Sequence, residues 1–141
     1  MSVRTSEAEW QGNLKEGRGH MRFGGAYNGA FSWASRFSDG GGTNPEELIA
    51  AAQAGCFSMA LSADLTNAGY KPVDIRTTAA LHFDVVDGKP TITRIDLTTG
   101  ADVPDIDQAT FARIADGTRQ NCPVSRALSA VKITVDATLK T

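Results

Sequence analysis

Residues 44–69 read NPEELIAAAQAGCFSMALSADLTNAG, and the rest of the chain can be read outward from this run. Asn44 offers a side-chain oxygen to cap a helix, Pro45 suits the first helical position, and Glu47 stands three residues after the cap. The spacing predicts a helix over about 45–67 that stops at Gly69, with Pro72 just beyond. From Leu48 to Ala63 apolar or small residues occupy every side of that helix, which predicts a central, buried element rather than a half-exposed surface one. The uncharged stretch is 16 residues long and includes Gln53, Ser58 and Ser62, short and polar for a bilayer span.

Downstream, Val73, Ile75, Thr77, Ala79, Leu81, Phe83 and Val85 alternate with more polar residues, the period-two stripe of a long strand. Asp87-Gly88 then predicts a hairpin turn into a strand carrying Ile95, Leu97 and Val103. Phe111, Ile114, Ala115 and Thr118 recur at helical spacing and predict an amphipathic helix over about 107–120. A short helix after Cys122-Pro123 and a last alternating strand over 131–139 complete this half. Upstream, short strands are expected near 3–11, 18–23 and 28–34, and the glycine-rich stretches at 24–25 and 40–42 read as loops. Strands and helices do not alternate regularly, so the class is α+β, with largely antiparallel sheet wrapped on the buried helix in a single domain over 1–141.

The bulk properties narrow the function. The chain has 141 residues, 14 Lys and Arg against 16 Asp and Glu, and a net charge of −2. Its basic residues are scattered, so no nucleic-acid partner is expected. No membrane association is expected either, and the first ten residues lack the apolar stretch of a secretory signal. A cytoplasmic location follows, where thiols stay reduced. Cys56, Cys122, His20 and His82 match no zinc spacing, so neither a metal nor another cofactor is expected. His82 falls on the polar side of its strand, which predicts surface exposure.

The two cysteines leave alternatives open on their own chemistry. Cys56, mid-helix between Gly55 and Phe57, fits an inert core thiol as well as a reactive one. Cys122 precedes Pro123 and falls at a helix cap, where the dipole lowers a thiol's pKa, yet a small turn residue would serve the same place.

Thr43-Asn44-Pro45-Glu46-Glu47-Leu48, then Ala54-Gly55-Cys56-Phe57-Ser58-Met59-Ala60-Leu61, and Asn121-Cys122-Pro123-Val124-Ser125 further on resemble the OsmC/Ohr family of thiol-dependent hydroperoxide reductases, the first block being similar to its OsmC branch. The resemblance runs from Trp10 to the last strand and implies a peroxidase of oxidative and osmotic stress defence that reduces organic hydroperoxides. It implies that Cys56 attacks the peroxide and becomes a sulfenic acid, that Cys122 condenses with it to a disulfide, and that an external dithiol, of which lipoyl groups are the kind suggested, recycles the pair. A thiolate in a helix interior needs a cation beside it. The resemblance puts Arg36 in that role, with Arg18 as the alternative, and Glu46 as the acid that holds the arginine bidentately. Glu47 fits a capping role instead. Gln53 stands where many OsmC-type members carry histidine and receives no role; His20 and His82 match nothing catalytic.

An apolar pocket near Phe57 and Met59 would favour an alkyl peroxide. Glu46 and Cys56 are ten residues apart, about 15 Å along one helix and about 80° around it. They cannot touch, so a homodimer is expected in which Arg36 and Glu46 of one subunit serve Cys56 of the other, as the family's intertwined dimer implies. The competing reading is a non-enzymatic redox sensor or hydrophobic-ligand binder on the same fold.

Overall fold

The computed structural model describes residues 2–38 and 40–140. The chain divides into two compact units, residues 1–48 and 49–141.

The first unit is built on three short strands, β1 (Glu7–Gln11), β2 (Arg18–Phe23) and β3 (Tyr27–Phe31), paired antiparallel in that order. Trp10 and Phe31 pack ring against ring at 5.3 Å between centroids across the glycine at position 19. A Cβ there would approach both rings and the Glu9 carbonyl too closely, so only glycine lets the strands meet. A five-residue helix, α1 (Trp33–Phe37), follows. The sequence periodicity does not predict it, because one turn is too short to show a repeat. It is instead nucleated by a reciprocal cap in which the Ser32 and Ser35 side chains accept from each other's backbone N–H. Gly42, at φ +94°, then turns the chain so that Thr43 N donates to Ala30 O at 2.8 Å.

Helix α2 (Pro45–Asn67) starts where the sequence places it. Asn44 Oδ1 accepts the Glu47 N–H at 2.7 Å, and Asn44 Nδ2 donates to Ser35 O at 2.9 Å, tying the helix start to α1. The Glu47 carboxylate accepts from Thr43 Oγ1. At the far end Gly69 adopts φ +93°, and Tyr70 N reaches back to Leu65 O.

The second unit is a mixed sheet with helices on one face. Strands β4 (Asp74–Val86) and β5 (Lys89–Asp102) form the expected hairpin, its turn made by Asp87 and Gly88, both at positive φ. Helices α3 (Gln108–Asn121) and α4 (Pro123–Ala127) follow, and β6 (Lys132–Leu139) pairs with β5 in parallel. That parallel pair departs from an antiparallel sheet; it arises because α3 and α4 form a crossover that returns the chain to the end where β5 began. Phe57, Leu61 and Leu65 of α2 pack with Ile95, Leu97 and Ala101 of β5 and Phe111 and Ala115 of α3 as the core.

The expectation that α2 is buried all round is corrected on the single chain. Gln53, Phe57, Leu61 and Leu65, spaced at four residues, are fully buried, whereas Met59 is 77% exposed and Ala51, Ala52, Gly55 and Ala63 lie open beside it. One sheet and one helix cover one side of a cylinder, and the small apolar residues occupy the other. The helix, at 23 residues, is also longer than its uncharged core and is long and apolar enough by composition to cross a bilayer. Its buried stripe identifies it as the core helix of a folded unit.

Candidate active site

The second unit gathers two thiols, an amide and a hydroxyl. Cys122 closes α3 and caps α4: its N–H bonds to Thr118 O at 3.0 Å, while its sulfur accepts the Ser125 N–H at 3.4 Å. Pro123 follows at the first helical position, as the sequence predicts. The Cys122 side chain is only 1% exposed. Ser125 Oγ lies 3.0 Å from its sulfur, and Gln53 Nε2 donates to Ser125 Oγ at 2.8 Å, with the Cys122 sulfur 3.7 Å away. Cys56, half-buried and one turn beyond Gln53 on α2, stands near enough to Cys122 for that thiol to influence its ionisation, and both cysteines are free. Burial pushes the Cys56 thiol above its ordinary value, the neighbouring Cys122 thiol adds to that, and a hydrogen bond from the Val124 backbone opposes it. On this chain alone, then, Cys56 is held mostly as a thiol.

The first unit holds an ion pair between a buried carboxylate and an exposed guanidinium. Arg36, in the last turn of α1, places Nε at 2.9 Å and an Nη at 2.5 Å from Glu46 Oε1. Glu46 is 8% exposed, although it sits in the first turn of α2. The pair is not the fork-on-fork arrangement expected: both nitrogens converge on one carboxylate oxygen, and Oε2 is buried without a hydrogen-bond partner. Arg36 also lines a cavity of about 230 Å³ whose walls are Trp10, Leu14, Phe31, Trp33, Phe37 and Pro45. A guanidinium at the rim of an apolar, aromatic cavity suits a molecule with a polar end and a hydrocarbon end.

A sequence model of the family described as OsmC-like protein matches residues 38–136. The chain belongs to the OsmC family. It is 44% identical over 136 residues to the peroxiredoxin OsmC of Escherichia coli, an alignment that covers 95% of this chain and 94% of that protein. Among solved structures, an organic hydroperoxide resistance protein, OhrB of Bacillus subtilis, is 25% identical with a TM-score of 0.69 over 96% of this chain and 98% of that one. A solved structure of a protein from Lactobacillus casei shares the fold at a TM-score of 0.76 and 20% identity, over 99% of this chain and 94% of that one.

For this OsmC-family chain, the structure brings together Cys56 with Cys122, and separately Arg36 with Glu46. Arg18 lies exposed on β2 and lines a shallow polar hollow with Gln11, Asn13 and Glu16. Glu47 serves the helix start. The pocket expected at Phe57 and Met59 is corrected: Phe57 is wholly buried core and Met59 an exposed surface residue, because they face opposite sides of α2. The apolar cavity stands beside Arg36 instead. His82 is exposed and bonds Asp96 at 2.9 Å, and His20 bonds Asn28. Two members of the thiol cluster, Gln53 and Ser125, receive no role in the sequence reading. Each stands three residues from a cysteine, Gln53 before Cys56 and Ser125 after Cys122, which is the helical spacing that could have revealed them. Among the described residues, no three His, Cys, Asp or Glu side chains gather to hold a metal ion.

Proposed function

We propose that this chain is a thiol-dependent peroxidase that reduces organic hydroperoxides through the paired cysteines, in oxidative and osmotic stress defence. The observation that carries the reading is the pair of free, neighbouring thiols Cys56 and Cys122 in an OsmC-family chain. The Cys56 thiolate attacks the distal peroxide oxygen; the O–O bond breaks, the alkoxide leaves and takes a proton, and the sulfur becomes a sulfenic acid. The Cys122 sulfur then displaces the sulfenic hydroxyl, which departs as water with the Cys122 proton, leaving one disulfide. An external dithiol, lipoyl in kind, returns two electrons and two protons and is itself oxidised to a disulfide.

Because burial raises the Cys56 pKa, the first step needs a nearby cation. Arg36, steadied by Glu46, fills that role. Glu46 and Cys56 lie ten residues apart on one helix, so the pair serves the thiol of a second copy in a homodimer. The open Ala51–Gly55–Met59 side of α2 supports that assembly, since an apolar helix face of this kind is covered in a stable protein. The two units act as one OsmC-like domain with a cytoplasmic location, where both thiols are kept reduced. The aromatic cavity beside Arg36 suits the alkyl group of the peroxide.

The deciding experiment is steady-state consumption of cumene hydroperoxide with dihydrolipoamide as reductant. Repeated turnover that requires both cysteines is expected. Binding of the peroxide without turnover would instead identify a ligand-binding or sensing protein on this fold.

A further inference from the structure

Gln53 is wholly buried, and its two amide atoms have different surroundings. Nε2 is engaged with Ser125 Oγ at 2.8 Å and stands 3.7 Å from the Cys122 sulfur, whereas Oε1 is buried with no hydrogen-bond partner. A buried acceptor left unpaired costs stability that a hydrocarbon side chain of the same length would not. Such an orphan calls for a donor that is present in another state of the molecule. Cys56 lies one turn after Gln53 on α2, and helical side chains lean toward the N-terminus, so the Cys56 sulfur stands over the turn that bears Gln53. In the thiol state that sulfur carries only a weak S–H donor. Oxidation to a sulfenic acid adds an O–H, a strong donor, one helical turn from the residue that bears the orphaned oxygen.

We propose that Gln53 is a positioning residue for disulfide closure: its Oε1 accepts the hydroxyl of the Cys56 sulfenic acid while its Nε2 holds Ser125 and Cys122 in place. The inference rests on the two-cysteine reading above and extends it to a residue that neither attacks nor is oxidised. Closure forms the Sγ–Sγ bond, breaks the Cys56 S–O bond and releases water, the Cys122 proton leaving with the hydroxyl. One glutamine therefore touches both the departing group and the attacking sulfur's support. In the reduced state only Nε2 is engaged; the oxidised state is the one in which both polar atoms of the amide are paired.

The test is single-turnover oxidation by one equivalent of cumene hydroperoxide, followed by rapid quenching, with dimedone to trap sulfenic acid and mass spectrometry to read the cysteines. In Gln53→Met, closure of the disulfide is expected to slow by about tenfold, the worth of one hydrogen bond. Cys56 oxidation should fall by less than about threefold, and the urea midpoint should not drop, since methionine leaves no buried acceptor unpaired. Dimedone adduct, and sulfinic acid under excess peroxide, should accumulate at Cys56. Gln53→His, whose ring carries one donor and one acceptor, should restore closure to within about threefold. Ser125→Ala, which frees Nε2 but keeps the 125 backbone N–H on Cys122, provides a second variant and should raise the trapped adduct by about threefold. Wild-type closure rates in Gln53→Met, or loss of closure and oxidation in equal proportion, would overturn the role. A wild-type chain that closes no intrachain disulfide would overturn the two-cysteine mechanism itself, and this inference with it.

Discussion

At the scale of single residues, the raised Cys56 pKa sets both reactivity and stability. Desolvation and Cys122 both favour the neutral thiol, so the native state keeps its proton at a pH where the unfolded chain has lost it. The unfolded state then binds fewer protons, and stability falls as pH climbs past the ordinary thiol range near about 8.5 toward the folded value. Cys56→Ser should flatten that alkaline decline, which urea titrations at a series of pH values would read. The same variant should consume no peroxide, whereas Cys122→Ser should oxidise once and stall at a sulfenic or sulfinic acid. Intact multiple turnover in Cys56→Ser would exclude the mechanism. Arg36→Ala should slow peroxide reduction about tenfold or more and move the pH–rate profile to higher pH, while Arg18→Ala changes it little, Arg18 being an exposed strand residue. The reverse ranking would assign the cation to Arg18. What residue types alone conveyed was the chemistry of two thiols and a helix-terminal acid. The orphaned oxygens of Glu46 and Gln53 were not legible, because whether a polar atom finds a partner depends on groups that folding brings in from elsewhere.

Among the elements, α2 carries the argument, and its start can be tested apart from catalysis. Asn44 makes two hydrogen bonds, accepting from Glu47 N and donating to Ser35 O, and so joins the helix cap to α1. Asn44→Ala should cost about 1–2 kcal/mol, the range of a lost N-cap. Asn44→Ser, which keeps the cap but not the reach to Ser35, should recover most of it. Urea midpoints at unchanged m-value would measure both, and a midpoint unaltered in Asn44→Ala would show that the cap is dispensable. The boundaries of α2, β4, α3 and β6, and the start of α4, were legible within a residue or two, since caps and the hydrophobic period are local, and the positive-φ turn at Asp87-Gly88 placed β5, although Val103 lies just past its end. Helix α1 was not, as a single turn held by two serines displays no period.

For the whole molecule, the open side of α2 and the separation of Glu46 from Cys56 along one helix lead to the same expectation, a dimer with sites shared between chains. Met59→Lys, on the exposed side, should weaken association and lower activity at dilute concentration, with sedimentation reporting the shift toward monomer. Complementation tests the sharing directly. Cys56→Ser and Arg36→Ala homodimers should each be nearly inactive, and a mixed dimer should regain about half the wild-type rate, from one intact site of two. Inactive mixed dimers, or a monomer by sedimentation, would rule the shared site out.

The amino-acid order by itself determined the elements other than α1 and the placement of Cys122 at a cap, because each depends on neighbours within a few residues. The pairing of Cys56 with Cys122, and of Arg36 with Glu46, was within reach through the family the motifs resemble. Tertiary structure alone decided the parallel entry of β6 beside β5, since alternation marks a strand's faces but not its direction. It decided as well that Phe57 is core while Met59 is surface, and that Gln53 meets Ser125 from 72 positions away. Local preference is written in the covalent chain, whereas the partner of a buried polar atom is chosen only when distant segments pack and exclude water.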